Sequence, residues 1–169
     1  MEIWFATSNE KKFEEVKKIA EKFGIELKIS KIEVMEPQAN IENVALFKAL
    51  EAFEKIKKPI VAEDSGLFIK ALKGFPGPFS SFVFKTIGCE GILKLMEKEN
   101  NREAKFRCAA VYYDGKRKLI ALGEVEGKIS KEKRGKSGFG FDPIFIPRGY
   151  VKTFAEEPEI KRRISHRTR

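Results

Sequence analysis

Two short runs hold the residues best suited to chemistry. Ser137-Gly-Phe-Gly-Phe-Asp-Pro143 offers two aromatic rings and a carboxylate on a glycine-flexed loop. Ala62-Glu-Asp-Ser-Gly66 offers adjacent carboxylates and a hydroxyl, directly after the apolar Pro59-Ile-Val-Ala62. Rings suit a flat base. Carboxylates suit Mg²⁺, which takes one or two of them and fills its shell with phosphate oxygens and waters. A carboxylate beside such an ion can also take a proton from water. The pairing suggests a nucleotide enzyme rather than a passive binder. Each run has a plainer reading too. Asp-Ser-Gly is common in solvated turns, and Phe139 and Phe141, which share a face if the segment is extended, would suit a core.

Thr7-Ser-Asn-Glu-Lys-Lys12 lies where a strand becomes a helix. The first turn of a helix presents unpaired N–H groups and the positive end of its dipole, which suit phosphate oxygens. Thr7, Ser8 and Asn9 add short polar side chains, and Lys12 adds a cation one turn in. An ordinary N-cap with a surface lysine has the same sequence. Glu36 and Glu42 are further candidate metal ligands, although Glu42 is equally suited to the first turn of a helix. Gly135-Lys136-Ser137 is no P-loop, because Ser130 stands where that motif needs its first glycine. The one histidine, His166, sits among cations, and Cys89 and Cys108 share no metal-ligand spacing. A conventional zinc site is therefore excluded.

These residues must be positioned by an α/β scaffold. Glu2 to Ala6 reads as a strand. Ser8 or Asn9 caps a helix carrying Phe13, Val16, Ala20 and Phe23 at helical spacing, and Gly24 ends it. Ile25 to Ile29 is a second strand, and Glu36 to Asn40 a polar loop. Glu42 to Ile56 is a strongly apolar helix expected to be buried on most sides. Ile60 to Ala62 is a short buried strand. Gly74 to Pro78 is a constrained loop, and Gly91 to Lys98 is helical. Lys105 to Tyr113 alternates as a strand, Asp114-Gly115 turns, and Leu119 to Glu126 returns. Helices alternate with strands early and hairpins come later, so the expected sheet is mixed.

At 169 residues the chain is one domain, or one domain of two lobes, able to bury a substantial core. No run approaches the roughly 18 apolar residues of a membrane span. Two scattered cysteines and no signal-like start imply reduced thiols and a cytoplasmic protein. The net charge of +9 invites a nucleic-acid reading. However, Lys161 to Arg169 carries five basic residues and no acid, and removing these five takes the balance from +9 to +4. The charge is concentrated at one end, which argues against a specific nucleic-acid partner.

Taken in order, Thr7 to Lys12, Glu63-Asp-Ser-Gly-Leu67, Gly74-Phe-Pro-Gly77, Ser137 to Pro143 and Ser165-His-Arg167 resemble the inosine/xanthosine triphosphate pyrophosphatase family across nearly the whole chain. The resemblance implies a long mixed sheet with flanking helices, two lobes around a central nucleotide-binding cleft, and a homodimer. It implies hydrolysis of ITP, dITP or XTP to the monophosphate and pyrophosphate, cleansing the nucleotide pool. Thr7, Ser8, Asn9, Glu10, Lys11 and Lys12 would hold the triphosphate, with Lys12 also catalytic. Asp64 would bind Mg²⁺ and activate water, with Ser65 beside it on the phosphate and Glu36 as a second metal ligand. Phe139, Gly140, Phe141 and Asp142 would frame the base. Lys161 would reach phosphate or base, and His166 and Arg167 would close on the base. The resemblance leads one to expect a single pyrophosphatase domain over residues 1–169, without the family's usual final helix beyond Ser-His-Arg, and a last segment, Lys161 to Arg169, that frays without nucleotide. Two other classes stay open: a triphosphatase releasing phosphate, and a noncatalytic basic nucleic-acid module.

Overall fold

A computed structural model describes residues 2–32 and 39–169. Glu36 and its neighbour Gln38 lie outside the described residues. Among the described residues, six strands form one mixed sheet in the order β2-β1-β3-β4-β5-β6. They are β1 Glu2–Ala6, β2 Glu26–Ser30, β3 Ile60–Ile69, β4 Glu103–Tyr113, β5 Lys118–Ile129 and β6 Phe145–Pro147. Strand β1 pairs in parallel with β2 and β3, and β5 pairs antiparallel with β6. The helices are α1 Glu10–Glu21, α2 Ile41–Ile56, α3 Ser80–Thr86, α4 Gly88–Leu95 and α5 Pro158–Ile164. No helix among the described residues is long and apolar enough to cross a membrane.

The chain divides into two compact units. The first comprises Met1–Asp64 and Cys108–Leu122, and the second Ser65–Arg107 and Gly123–Arg169. In the first, Ile3, Phe5, Ala20 and Leu27 form a buried cluster with Phe13, Val16, Val61 and Tyr112 packed on it. The helix α1 turns its apolar stripe to this cluster, as its spacing dictates. Phe23 does not join it. It lies beyond the last helical turn and is 74% exposed. The helix α2 buries one face only, formed by Ile41, Val44, Ala45, Lys48, Ala49 and Ala52, while Phe47 and Leu50 are partly exposed. The alanines let the helix approach closely, so its large side chains point elsewhere and the expectation of burial on most sides fails.

The second unit packs around aromatic rings. Phe106, Phe145 and Phe154 are in mutual contact at 4.7 to 6.3 Å between ring centroids. Leu67, Ile69, Ile92, Met96 and Ile144 complete the buried cluster. Each such side chain contributes about 1.5–3 kcal/mol by leaving water.

The strand predicted over Ile60–Ala62 runs on to Ile69. Glu63-Asp64-Ser65-Gly66 is therefore strand, not turn. Gly66 is needed for close approach rather than for bending, since a Cβ there would lie 2.1 Å from the Gly77 carbonyl oxygen. The Ser80 hydroxyl locks this contact, accepting from Leu67 N at 2.8 Å and donating to Gly77 O at 2.7 Å.

Candidate active site

Each unit carries one group of the predicted residues. In the first unit, Asn9 caps α1, its side-chain oxygen accepting from Lys12 N at 3.2 Å. Thr7 Oγ1 accepts from Asn9 N at 3.1 Å, which shapes the turn between β1 and the helix. Ser8, Asn9, Glu10 and Lys11 are exposed at the helix start. Glu10 pairs with Lys31 at 2.7 Å, and the hydrogen bond from that ammonium lowers the acid's pKa. This contact aims Glu10 at a surface cation rather than toward an anion.

Lys12 behaves differently from its neighbours. Its ammonium reaches Glu63 Oε1 at 2.6 Å. One residue along β3, Asp64 Oδ1 lies 3.6 Å from Lys48 Nζ of α2. Glu63, Asp64 and Lys48 are all buried. Burying one ion without its counter-charge is costly, so the Glu63-Asp64 dipeptide is tolerated because two helices each supply a lysine. From β4, the Cys108 thiol donates to Glu63 Oε2 at 3.1 Å. Lys48 and Cys108 were not anticipated as site residues. The signal for Lys48 lies in its helix: it shares the face of Val44, Ala45, Ala49 and Ala52, and a lone cation in an alanine-rich buried stripe has to meet an acid.

In the second unit, Phe139 and Phe141 were expected to share a face. They do not, because Gly138 and Gly140 take positive φ of 76° and 60° and break the alternation of an extended chain. Phe141 is buried in the core, edge-on to Phe84 at 5.4 Å. Phe139 remains half-buried under two cations, with Lys161 Nζ 4.2 Å and the Arg167 guanidinium 5.5 Å from its ring centre. Such contacts favour the ring face.

Asp142 ties this group together. Its Oδ2 accepts from Phe139 N at 2.8 Å and from Lys161 Nζ at 2.8 Å. Gly138 is required beside it, since a Cβ there would come within 2.2 Å of the same oxygen. Arg167 Nη2 donates to Ser65 Oγ at 2.7 Å, which joins the Ser65 and Ser-His-Arg motifs. Arg167 Nη1 lies 3.0 Å from His166 Nε2. An arginine can only donate, so in this contact His166 Nε2 is the acceptor. The His166 ring stacks on Phe106 at 4.9 Å and 19°.

The expected fraying of Lys161 to Arg169 is not observed. Lys161, Ser165 and His166 are 5%, 3% and 3% exposed. The buried ion pair to Asp142 and the ring stack on Phe106 hold the segment from both ends.

A sequence profile of the Ham1 family matches residues 3–169. The chain is 53% identical to a dITP/XTP pyrophosphatase of Ignicoccus hospitalis, with 99% of this chain and 91% of that protein covered. It is 50% identical to a dITP/XTP pyrophosphatase of Pyrococcus horikoshii at the same coverage of 99% and 91%. Among solved structures, a HAM1 protein from Coxiella burnetii superposes with a TM-score of 0.88 at 32% identity, over 99% of this chain and 92% of the other. The fold, the order of the motifs and these full-length matches agree, and the chain belongs to the Ham1 family.

Proposed function

We propose that this protein hydrolyses non-standard purine nucleoside triphosphates (ITP, dITP and XTP) to the monophosphate and pyrophosphate, with residues 1–169 acting as one catalytic domain. The observation that carries the reading is the pair of buried acids on β3, each facing a lysine, from α1 and from α2. The dITP/XTP pyrophosphatases that match the chain over nearly its full length support it.

The start of α1, from Thr7 to Lys12, holds phosphate oxygens through N–H groups and the Lys12 ammonium. Asp64 accepts a proton from the attacking water as the new O–P bond forms at the α-phosphorus. The bond from that phosphorus to the bridging oxygen breaks, and pyrophosphate leaves with the electron pair. The Lys12 and Lys48 ammonium groups offset the charge that develops. Asp64, with Glu36 from outside the described residues, would hold Mg²⁺. This donor set fits an ion that takes one or two carboxylates and completes its shell with phosphate oxygens and water. When bound, the ion supplies positive charge to the phosphate oxygens.

Phe139 offers a face to the base, and Phe141 supports the loop from the core. A 6-oxo purine presents an acceptor at O6 and a donor at N1, whereas adenine presents the opposite edge. Arg167 can donate to the 6-oxo edge, and Asp142 can accept from it. Lys161 and His166 hold these two groups in place. The reading also includes a cytoplasmic homodimer. Two buried cysteines, neither in a disulfide, suit a reducing compartment. Exposed Phe79, Phe82, Phe84 and Ile87 form an apolar stretch that a partner copy would cover.

Purified protein with Mg²⁺ should be assayed against ITP, dITP, XTP, GTP and ATP, with phosphate and pyrophosphate both measured. ITP or XTP should react at least about tenfold faster than ATP, a difference of only about 1.4 kcal/mol. Equal turnover of ATP, or free phosphate without pyrophosphate, refutes the reading.

A further inference from the structure

We propose that Glu63 is a positioning residue for Lys12, steadied in turn by the Cys108 thiol, and is not a ligand of the metal beside it. The inference rests on the assignment of Lys12 to the phosphates of the substrate. Glu63 is adjacent to Asp64 in sequence, so the pair reads naturally as two metal ligands. The geometry separates them. Glu63 Oε1 meets the Lys12 ammonium at 2.6 Å, and Oε2 accepts from Cys108 Sγ at 3.1 Å. The Glu63 side chain is 3% exposed, whereas that of Lys12 is 18% exposed. The acid is thus enclosed, and its lysine reaches the boundary with solvent. An ammonium in contact with one oxygen repels a divalent cation from it, and the thiol proton occupies the other.

Lysine loses more rotamer freedom on ordering than most side chains. Here both ends of Lys12 are fixed in advance. Its backbone N–H is bound by the Asn9 cap at 3.2 Å, and its head is bound by Glu63. An ammonium has three donors, so contact with one carboxylate oxygen leaves others for an arriving phosphate. The enclosed carboxylate cannot give up its counter-charge cheaply. Lys12 therefore stays on Glu63 when phosphate binds and presents the remaining donors in one direction. Cys108 completes the chain of contacts from β4 through β3 to α1 by limiting rotation of the Glu63 carboxylate.

A double-mutant cycle tests this. Lys12→Ala, Glu63→Gln, Cys108→Ala and their combinations with Lys12→Ala are compared by KM and kcat for ITP and by the Mg²⁺ concentration for half-maximal activity. Affinity for the α,β-imido analogue of ITP, whose scissile bridge resists hydrolysis, is measured in EDTA. Lys12→Ala should raise KM. Glu63→Gln should raise KM and weaken analogue binding by about tenfold, the scale of one lost charge-assisted hydrogen bond. Its kcat should fall no further than that of Lys12→Ala, and its half-activating Mg²⁺ should not change at all. In the Lys12→Ala background Glu63→Gln should add nothing. Cys108→Ala should give a smaller shift in the same direction, also absorbed by Lys12→Ala, and it carries the comparison if Glu63→Gln does not fold. A shifted Mg²⁺ requirement, or effects that add to those of Lys12→Ala, overturns the proposal. If Lys12→Ala leaves KM and analogue binding unchanged, the phosphate assignment of Lys12 fails and the proposal with it. Pyrophosphate release from ITP would then still stand as a separate result.

Discussion

In the first unit each buried acid of β3 faces a lysine from a different helix, Lys12 for Glu63 and Lys48 for Asp64. In the second, two cations, Lys161 and Arg167, lie over one ring, and a single acid, Asp142, holds both the loop and one of those cations. The first arrangement sets charge against charge, so removing either partner strands an ion in a place with little water. The second sets charge against a π face, so removing the ring strands nothing, because Asp142 still holds Lys161. The first group is therefore suited to an anion and a metal, where charge must be exchanged. The second is suited to a flat, weakly polar ligand.

The largest expected effect tests the division of labour within the second unit. Phe141→Ala should cost about 3–5 kcal/mol of stability, read from a denaturant melt, because the ring lies in the core. Phe139→Ala should hardly move the melt. Equal losses of stability would merge two roles that the geometry separates.

Asp64→Asn comes next and probes the first unit. It removes the proposed proton acceptor and leaves Lys48 facing a neutral amide. Turnover of ITP should fall at least about a hundredfold. Circular dichroism at the assay temperature should still show a folded protein. Near-normal turnover would transfer the role of base to another group.

Phe139→Ala probes the platform itself. Stacking of one base on an aromatic ring contributes about 1–3 kcal/mol, so KM for ITP should rise by roughly tenfold with kcat little changed. An unchanged KM would mean that the base does not use this face.

The smallest effect is a pH dependence. Burial pushes the Cys89 thiol up to about 11 from an ordinary 9.0. The neutral thiol is favoured in the folded chain, so this contribution is full below about pH 9 and is lost as pH rises through 11. The melting temperature should therefore fall more steeply between these values in the wild type than in Cys89→Ala. Identical slopes would remove Cys89 as a source of alkaline sensitivity.

Much of this arrangement was legible from residue types. Ser8 or Asn9 reads as a cap, Gly24 as a helix end and Asp114-Gly115 as a turn, because each is fixed by its own neighbours; Asn9 takes the cap and the other two hold. Failures came where a distant residue decides. Gly66 looks like part of a turn until the Gly77 carbonyl is placed against it. Phe141 looks like the twin of Phe139 until two positive-φ glycines rotate them apart. The helices α3 and α5 and the three-residue strand β6 were missed, since all three are too short to show a period. Lys48 was passed over because periodicity marks which face is apolar but not which acid awaits a cation there.

The division of the chain also has a consequence for its synthesis. The first unit is complete once Leu122 has been added, although residues 65–107 have by then been made and belong elsewhere. The second unit begins at Ser65 and needs the last turn of chain, including Lys161 for Asp142 and His166 for Phe106. On the ribosome, the first unit can therefore condense before the second, which waits for Lys161 and His166. Ribosome-stalled chains long enough for residue 122 to have cleared the exit tunnel should already protect the amides of β1 and α1 from exchange. Those of β6 should stay open until His166 has emerged.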